Sequence, residues 1–393
     1  MKREKYPGVR LLRIGTAIRW FGWGLGEALI PLFLLKFTNS FFETGLLSSV
    51  YNIMFLLFLP IAGYLADNYR IKKIILSAMI LYIFVGLGYF LAGLTSMVIF
   101  LILARALNGL SYSLDQTSRE TYIIKHVKDS QESRVFGHFD LITNFWWVSA
   151  VLIGMFLVKY VEVHWLFLMI APTSFLALLI FSNIKEKEKY KKIKFSIKNA
   201  YKETFEDIKN FTPGLKVLAV LAFGFGIISS AIFFFAPILS YTRGGSITQS
   251  IIIVLVYTLP YLLGDFTGKI ADKYKEKLYL FGLIAIIFLV SILAYTREYY
   301  VILLAVFFTS LIFECFYLVN KGILARIADK THLGEVDGSL NGFSTIGAIL
   351  GPILFGIMID KIGNIYAYSV ISVITLILFC YAYINRKSLR KKA

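Results

Sequence analysis

The chain has 393 residues, of which 58% are hydrophobic and 17% are charged, and its formal net charge is +17. Soluble globular domains carry about 25% charged and about 45–50% apolar residues, so this composition excludes a soluble enzyme, a coiled coil and a disordered chain. Apolar runs of about twenty residues recur along the whole chain, separated by charged segments. The sequence therefore predicts an all-α, polytopic membrane protein.

Twelve apolar runs are long enough to cross the ~30 Å hydrocarbon layer of a membrane as helices. The predicted spans are 14–35, 44–66, 73–93, 97–118, 137–158, 164–182, 217–240, 247–271, 278–296, 299–325, 339–359 and 365–384. The longest polar interval divides six spans from six. We therefore predict a six-helix N-terminal bundle at 1–182, a basic cytoplasmic linker at 183–216 and a six-helix C-terminal bundle at 217–393.

The positive charges distinguish the two sides of the membrane. Of the 41 Lys and Arg residues, 34 lie in the terminal segments, the loops and the adjoining span ends on one side, and five lie on the other. The remaining two, Arg19 and Arg105, lie within predicted spans. The positive-inside rule places both termini in the cytoplasm and predicts a multi-pass protein of the cell membrane. The basic balance thus follows from topology, and no nucleic-acid partner is expected.

A short sequence repeat relates the two halves of the chain. Gly63-Tyr-Leu-Ala-Asp67-Asn-Tyr follows the second span, and Gly268-Lys-Ile-Ala-Asp272-Lys-Tyr follows the eighth, with basic residues after both. The two segments begin 205 positions apart and occupy equivalent places in the predicted topology. A duplicated six-span unit explains this repeat, and parallel halves of this kind are a known plan of secondary transporters.

These features resemble the major facilitator superfamily of secondary transporters. The family's motif in the second-to-third loop is matched at Gly63, Leu65, Ala66, Asp67 and Lys72. Its Arg-x-x-x-Gly motif in the fourth span is matched by Arg105 and Gly109. The resemblance covers essentially the whole chain, and it implies the twelve-helix fold of two pseudo-symmetric bundles that transports solutes by alternating access around a midplane cavity.

Among the acidic residues inside predicted spans, Asp140 and Glu314 lie one in each half of the chain. Asp140 lies about one turn inside the fifth span, and Glu314 lies about fifteen residues into the tenth. An ionisable side chain in hydrocarbon costs about 2.5–3.5 kcal/mol on insertion scales, so such residues usually face a cavity and serve a pathway. We predict that both acids bind and release protons. The alternative for Asp140 is an interfacial charge near the start of a helix.

The fourth span contains further candidates for proton coupling. A buried arginine such as Arg105 needs a carboxylate or carbonyl partner, and the resemblance implies that it lies near the cavity and takes part in proton coupling. The alternative is an ion pair that only locks helices together. Asp115 is predicted to be an acid of the inner gate within the same coupling set. Tyr112 falls within about 20° of Arg105 on a helical wheel and is its predicted cavity neighbour.

A second set of residues is predicted to line the substrate cavity. Glu27 is flanked by Trp20 and Trp23, so it is placed to attract a cationic substrate through charge and cation–π contacts. The alternative is that Glu27 pairs with a cation on a neighbouring helix. The complete predicted set is Glu27, Trp23, Tyr112, Asn144, Trp147 and Asn320.

The repeated loop motifs predict a gate at the cytoplasmic face. A carboxylate at Asp67 or Asp272 can bridge to a helix amino terminus or to a cation such as Arg134. Such a bridge would hold the gate in one state and break in the other. The predicted gating set is Gly63, Asp67, Lys72, Arg134 and Asp272.

The motifs favour a transporter over an enzyme. The sequence contains no phosphate-binding Gly-x-x-x-x-Gly-Lys-Ser/Thr loop, no metal-ligand spacing and no nucleophile–base arrangement, so neither a cofactor nor a metal is expected. The arrangement of Asp67, Asp140 and Glu314 is similar to that of proton-driven multidrug exporters of the superfamily. This similarity implies export of lipophilic, often cationic, compounds in exchange for protons.

Two other functions stay open at this point. The first is proton symport or facilitated movement of a polar metabolite such as a sugar, an organic acid or a peptide. The second is a non-transporting membrane receptor or assembly factor. The expected partners are a small-molecule substrate, protons and the lipid bilayer, and a monomer suffices for the predicted architecture.

Overall fold

The computed structural model describes residues 6–127, 132–186, 196–327 and 333–389, and every regular element within these ranges is a helix. The first eight helices are α1 (Pro7–Glu27), α2 (Ile30–Leu35), α3 (Phe41–Asn68), α4 (Ile71–Thr95), α5 (Val98–His126), α6 (Glu132–Leu157), α7 (Val163–Leu168) and α8 (Ile170–Phe181). The other α-helices are α9 (Ile197–Lys209), α10 (Pro213–Thr242), α11 (Ile247–Thr258), α12 (Gly264–Tyr274), α13 (Lys277–Tyr295), α14 (Tyr299–Ile327), α15 (Leu333–Ile362) and α16 (Asn364–Asn385). A 3₁₀ helix, Leu259–Leu263, joins α11 to α12.

The all-helical prediction is confirmed within the described residues, and the twelve predicted spans coincide with helical segments. By length and composition, ten helical segments in these ranges can cross a membrane, one of which is α7 and α8 together. The apolar helix Ile247–Leu263 is shorter, and α1, which contains several charged residues, is not among the ten. The total of twelve spans and the cytoplasmic position of the termini stay predictions.

The first and the eighth predicted spans are interrupted, as is the sixth between α7 and α8. The first is divided into α1 and α2 directly after Glu27. The eighth is divided by the 3₁₀ helix that contains Pro260, a residue that has no backbone N–H to donate within a regular α-helix. Non-helical backbone is tolerated at membrane depth where it is buried in protein or lines a cavity, so these breaks are suited to positions close to a site.

The chain divides into two compact units. Unit 1 comprises Met1–Phe33 and Val50–Lys202, and unit 2 comprises Leu34–Ser49 and Glu203–Ala393. The segment Leu34–Ser49, which the sequence assigns to the N-terminal bundle, therefore groups with unit 2. The predicted domain boundaries at residues 182 and 217 stay predictions.

Equivalent helices pack in the same way inside each unit. In unit 1, α1 packs against α6 and α8, and α4 packs against α5 and α8. In unit 2, the corresponding helix α10 packs against α15 and α16, and α13 packs against α14 and α16. A duplicated six-helix unit would produce this repetition.

Glycine allows the close approach of α10 and α15 in unit 2. A Cβ atom on Gly347 would lie 2.1 Å from the backbone oxygen of Phe223, and one on Gly351 would lie 2.4 Å from that of Ile227. Both distances are far below van der Waals contact, so only glycine fits without a shift of the backbone. Glycines four residues apart lie on one face of a helix and let two helix backbones approach closely.

Substitution of Gly347 by leucine is expected to lower stability. Overpacking of a tight contact costs about 1–3 kcal/mol, so Gly347→Leu should lower the unfolding temperature measured by differential scanning calorimetry in detergent. Gly338→Leu is the matched control on α15, because no heavy atom lies within 4 Å of a Cβ at Gly338. Equal effects of the two substitutions would contradict the close-packing interpretation.

The amino terminus of α3 is capped by a carboxylate of α15, inside unit 2. The backbone N–H groups of Phe41 and Phe42 donate to Asp360 Oδ1 and Oδ2 at 3.0 and 2.8 Å. The first N–H groups of a helix have no partner within that helix, and the partial positive charge there favours an anion. Ser49 Oγ donates to the backbone oxygen of Ile349 at 2.7 Å. These bonds join Leu34–Ser49 to α15.

Loss of this cap is expected to loosen the start of α3. Asp360→Ala should lower the free energy of unfolding by about 1–3 kcal/mol, the usual range for hydrogen bonds to a charged group. Amide hydrogen exchange at Phe41 and Phe42 should accelerate. Lys361→Ala, which removes the exposed neighbouring side chain, is the control. Unchanged exchange in the Asp360 variant would show that the carboxylate does not hold the helix end.

Candidate substrate and proton-coupling site

Helices α1 and α5 bring three charged side chains together inside unit 1. Arg19 Nη2 donates to Asp115 Oδ2, and Arg119 Nε donates to Asp115 Oδ1, both at 2.9 Å. The side chain of Asp115 is fully buried, and those of Arg19 and Arg119 are 3% and 10% exposed. One carboxylate therefore compensates two guanidinium groups. Asp115 therefore forms an ion pair with Arg119 inside α5 and a second ion pair with Arg19 of α1.

Aromatic rings lie against the buried guanidinium groups of unit 1. The distances from guanidinium carbon to ring centroid are 4.5 Å for Arg19 and Tyr82, 5.5 Å for Arg19 and Trp20, 5.2 Å for Arg105 and Tyr51, and 5.6 Å for Arg119 and Phe139. Cation–π contacts of this kind contribute about 0.5–2 kcal/mol, more when the cation is desolvated. They help to offset the cost of removing these charges from water.

Arg105 and Tyr112 are joined by a tyrosine that no sequence motif marks. The ring of Tyr51, on α3, lies beneath Arg105, and its centroid is 6.0 Å from that of Tyr112. Phe55 lies one turn after Tyr51, with its ring centroid 5.4 Å from that of Tyr112. The predicted neighbours Arg105 and Tyr112 thus belong to one aromatic cluster, which α3 completes.

Glu27 has partners on other helices of unit 1. Trp147 of α6 donates its indole N–H to Glu27 Oε2, and the carboxylate interacts electrostatically with Arg19 and Arg105. Trp23 is buried, and its ring centroid lies 6.2 Å from that of Tyr89. The surroundings of Glu27 favour the alternative in which it interacts with a cation of a neighbouring helix over its interpretation as an isolated attractor of cations.

Nearly the whole chain matches the model of one protein family. The family model described as Major Facilitator Superfamily matches residues 12–294 and 218–393. The chain belongs to the major facilitator superfamily. It is therefore a multi-pass membrane protein of a transporter family and not an enzyme.

Relatives within the superfamily have varied names. The chain is 24% identical over 311 residues to the putative niacin/nicotinamide transporter NiaP of Bacillus subtilis (strain 168). The aligned region covers 75% of this chain and 74% of that protein. It is 24% identical over 370 residues to multidrug resistance protein 2 of the same organism, covering 87% and 86%. A bacterial homolog to the human lysosomal transporter Spinster, solved inward-facing, matches with a TM-score of 0.75 and 15% identity over 99% of this chain and 98% of that chain.

In unit 2 of this superfamily member, Glu314 is isolated from compensating charge. Glu314 lies in α14 and is 6% exposed. Within residues 196–327 and 333–389, as far as their side chains are described, the carboxylate makes no hydrogen bond or salt bridge. Tyr261 and Cys315 lie close enough to interact with it electrostatically. Its environment is the opposite of that of Asp115.

Three other residues that the sequence predicts to be functional, Asp140, Asn144 and Asn320, have surroundings different from those of Glu314. Asp140 is exposed on α6 and interacts electrostatically with Arg119. Asn144, one turn later, is half-buried. In unit 2, Asn320 accepts a hydrogen bond from the hydroxyl of buried Tyr279, so part of its polar capacity is used within the unit. The predicted roles of all three stay predictions.

The loop motif of unit 1 makes local contacts around Asp67 and Lys72. The Asp67 side chain is 72% exposed, with Oδ1 3.9 Å from Lys125 Nζ. A pair this exposed is worth about 0–1 kcal/mol. The Lys72 backbone N–H donates to Glu186 Oε1 at 2.8 Å, and Lys72 Nζ donates to the backbone oxygen of Ser182 just after α8. Lys72 therefore ties the start of α4 to the end of α8.

The rest of the predicted gating set can be placed only in part. Gly63 lies on α3 with no heavy atom within 4 Å of a Cβ at that position. The side chains of Arg134 and Asp272 lie outside the described residues, although their backbones belong to α6 and α12. The gating role of the set stays a prediction.

Sequence reasoning missed several residues that complete the charge cluster. Arg119 follows Asp115 by four positions, the spacing at which side chains meet on a helix face, so this signal was present. Arg19 lies in a predicted span, where an ionisable residue marks a candidate site. Tyr51 and Tyr82 carried no signal, because many tyrosines occur in these spans and only the fold selects those beside an arginine.

Substitution of Asp115 is expected to destabilise unit 1 strongly. Asp115→Asn would leave Arg19 and Arg119 without their shared carboxylate, and removal of one partner of a buried ion pair costs about 3–5 kcal/mol. Thermal unfolding and the yield of monodisperse protein in detergent measure this loss. Glu120→Gln, at an exposed acid on the same helix, is the matched control.

A double-mutant cycle separates the pair from its surroundings. Arg119→Gln combined with Asp115→Asn should be less destabilising than the sum of the two single changes, because the residues are in direct contact. Additive effects, or an Asp115→Asn unfolding temperature equal to that of the Glu120 control, would contradict a charge-compensating role for Asp115.

Proposed function

We propose that the protein is a secondary active transporter that moves a small organic solute by alternating access and exchanges it for protons through Glu314. The observation that carries the proposal is the buried Glu314 carboxyl, which has no ionic or hydrogen-bonded partner in the described part of unit 2. Burial without compensation disfavours the charged form of a carboxyl group. A group in this setting takes up a proton when enclosed and releases it when water reaches it.

The contrast with Asp115 supports Glu314 as the proton carrier. Asp115 accepts hydrogen bonds from two arginines, and its neutralisation would leave both cations uncompensated in a low-dielectric interior. We therefore assign Asp115 and Arg105 to positioning and charge balance. Asp140 is the second acid that we propose for proton movement, on the basis of its exposed position beside Arg119.

The relatives support a small organic solute without selecting one. One is named a putative niacin/nicotinamide transporter and another a multidrug resistance protein, each 24% identical to this chain. The second name favours an additional candidate function, the export of lipophilic or cationic compounds in exchange for protons. The aromatic cluster of Tyr51, Phe55 and Tyr112 is compatible with flat lipophilic solutes of either charge.

The test compares two transport modes in proteoliposomes. In one, a pH gradient drives accumulation of solute. In the other, solute exchanges for solute and no gradient is present. Probes are benzoate, tetraphenylphosphonium and sucrose, with an enclosed pH dye that reports proton movement. Glu314→Gln should lower the initial rate of gradient-driven accumulation at least about tenfold, a barrier change of about 1.4 kcal/mol, and leave the exchange rate within about twofold.

Controls distinguish coupling from damage. Glu298→Gln makes the same chemical change at an exposed acid just before α14 and should leave both modes unchanged. Glu314→Asp keeps a titratable group and should retain part of the coupling. Full gradient-driven accumulation by Glu314→Gln would sink the assignment, and parallel loss of both modes would place Glu314 in substrate binding instead.

A further inference from the structure

Positive charge exceeds negative charge in the solvent-shielded interior of unit 1. Counted over the whole residue, Arg19, Arg105 and Arg119 are 3%, 5% and 8% exposed. Among the described residues of this unit, Asp115 is the only carboxylate buried to that degree, and Glu27 is half-buried. Even if Glu27 counts in full, three guanidinium groups face two carboxylates. The surplus concerns charge alone, because each arginine makes contacts of its own.

Two further acids act on this region from its exposed side. Asp140 interacts electrostatically with Arg119, and Glu120 interacts electrostatically with Tyr112. Both are exposed. Solvent and salt screen exposed charges far more strongly than buried ones. Asp140 and Glu120 therefore reduce the positive potential near Arg119 more than near Arg19, which lies on α1.

Unsatisfied polar atoms are concentrated around Arg19. In the part of the chain that the structure describes, five shielded side-chain atoms of this region have no hydrogen-bond partner: Arg19 Nε, Trp20 Nε1, Tyr82 OH, Thr16 Oγ1 and Ser118 Oγ. Tyr82 and Trp20 are the rings that lie against the Arg19 guanidinium. Thr16 lies one turn before Arg19, and Ser118 lies one turn after Asp115.

The chemistry of these atoms specifies what would satisfy them. An arginine Nε–H and an indole N–H can only donate a hydrogen bond, and a hydroxyl group can donate one. A buried polar atom left without a partner costs about 1–3 kcal/mol. The ligand that suits this place is therefore rich in acceptors, and the positive surplus selects an anion over a neutral acceptor.

An aromatic surface adjoins these donors. Tyr51 and Phe55 are stacked, with centroids 6.4 Å apart and planes inclined by 11°, and Tyr112 packs beside both. All three residues are half-buried. Tyr51 and Tyr112 both interact electrostatically with Tyr82, so the aromatic surface is continuous with the surroundings of Arg19.

We propose that this part of unit 1 is an anion subsite and that the transported solute is an aromatic organic anion, such as an aromatic carboxylate. The inference rests on the proposed transport function and names its substrate class. The oxyanion accepts hydrogen bonds from Arg19 Nε and the Tyr82 hydroxyl, and the ring packs against Tyr51, Phe55 and Tyr112. The donors are shielded in this conformation, so the oxyanion reaches them only when their surroundings open during the transport cycle.

The anion subsite favours a negatively charged solute, whereas the sequence around Glu27 predicts a positively charged one. Glu27 already accepts a hydrogen bond from Trp147 and interacts with two arginines, so its negative charge is compensated inside unit 1. A cationic solute would meet the surplus of Arg19, Arg105 and Arg119. An anionic solute would offset the positive surplus among these buried groups.

The experiment measures binding to the purified full-length protein in detergent, independently of transport. The probes share a benzene ring and differ in the charge and hydrogen-bonding groups of its substituent: benzoate and salicylate, their amides benzamide and salicylamide, and the cation benzylamine. Isothermal titration and thermal-shift measurements report affinity. We expect at least one carboxylate to bind about tenfold or more tightly than its amide and than benzylamine.

Tyr82→Phe tests the donor without removal of the ring that covers Arg19. It should weaken carboxylate binding about tenfold, as expected for loss of one hydrogen bond to a charged group, and leave amide binding within about twofold. Tyr368→Phe makes the same change at a buried tyrosine of unit 2 and should alter neither. Thermal unfolding of both variants shows that they are folded.

Each contrary result has a definite meaning. Benzylamine binding as tightly as the carboxylates, equal binding of acids and amides, or no binding of either acid overturns the anion subsite. Unchanged carboxylate binding by Tyr82→Phe overturns the assigned donors. Carboxylate binding without any movement in proteoliposomes would instead defeat the proposed transport function and leave the subsite standing. Proton-coupled movement of tetraphenylphosphonium alone would leave the transporter standing and defeat the substrate class.

Discussion

The cost of placing charge inside a membrane protein governs the interior of this chain. Three arginines of unit 1 are nearly inaccessible to solvent, and each lies against an aromatic ring. Because an uncompensated ion in a low-dielectric interior is so unfavourable, Asp115 is shared by two of them, and Glu27 extends the same network. The positions of α1, α3, α4 and α5 in unit 1 all contribute to this compensation.

The two units handle buried charge in opposite ways. In unit 1, cations are in surplus and the central carboxylate is doubly paired. In unit 2, Glu314 is buried in the described structure without a compensating partner. A paired carboxylate stays charged and positions its neighbours, whereas an unpaired one can exchange a proton. This division fits the proposal that unit 1 selects the solute and that Glu314 of unit 2 is the main proton carrier.

Close helix packing supplies the rigid frame for these groups. Gly347 and Gly351 let α15 contact the backbone of α10 in unit 2, and Gly154 lies similarly close to Leu25 of α1 in unit 1. In hydrocarbon, helices associate through such van der Waals contact and hydrogen bonds, since lipid tails are as apolar as the side chains. These contacts hold α6 against α1 in unit 1 and α15 against α10 in unit 2.

The sequence by itself determined the helical class, the approximate spans and the superfamily, because hydrocarbon imposes a length and a composition on every crossing helix. It also indicated Glu314 and Arg105 as ionisable groups in apolar surroundings. Only the tertiary structure decided which of these groups are paired. Arg19 and Asp115 are 96 positions apart, and the distance between two charges on different helices depends on packing angles and glycine contacts that no local pattern encodes. Helix packing likewise determines that the charge of Glu27 is compensated and that the ring of Tyr82 lies over Arg19.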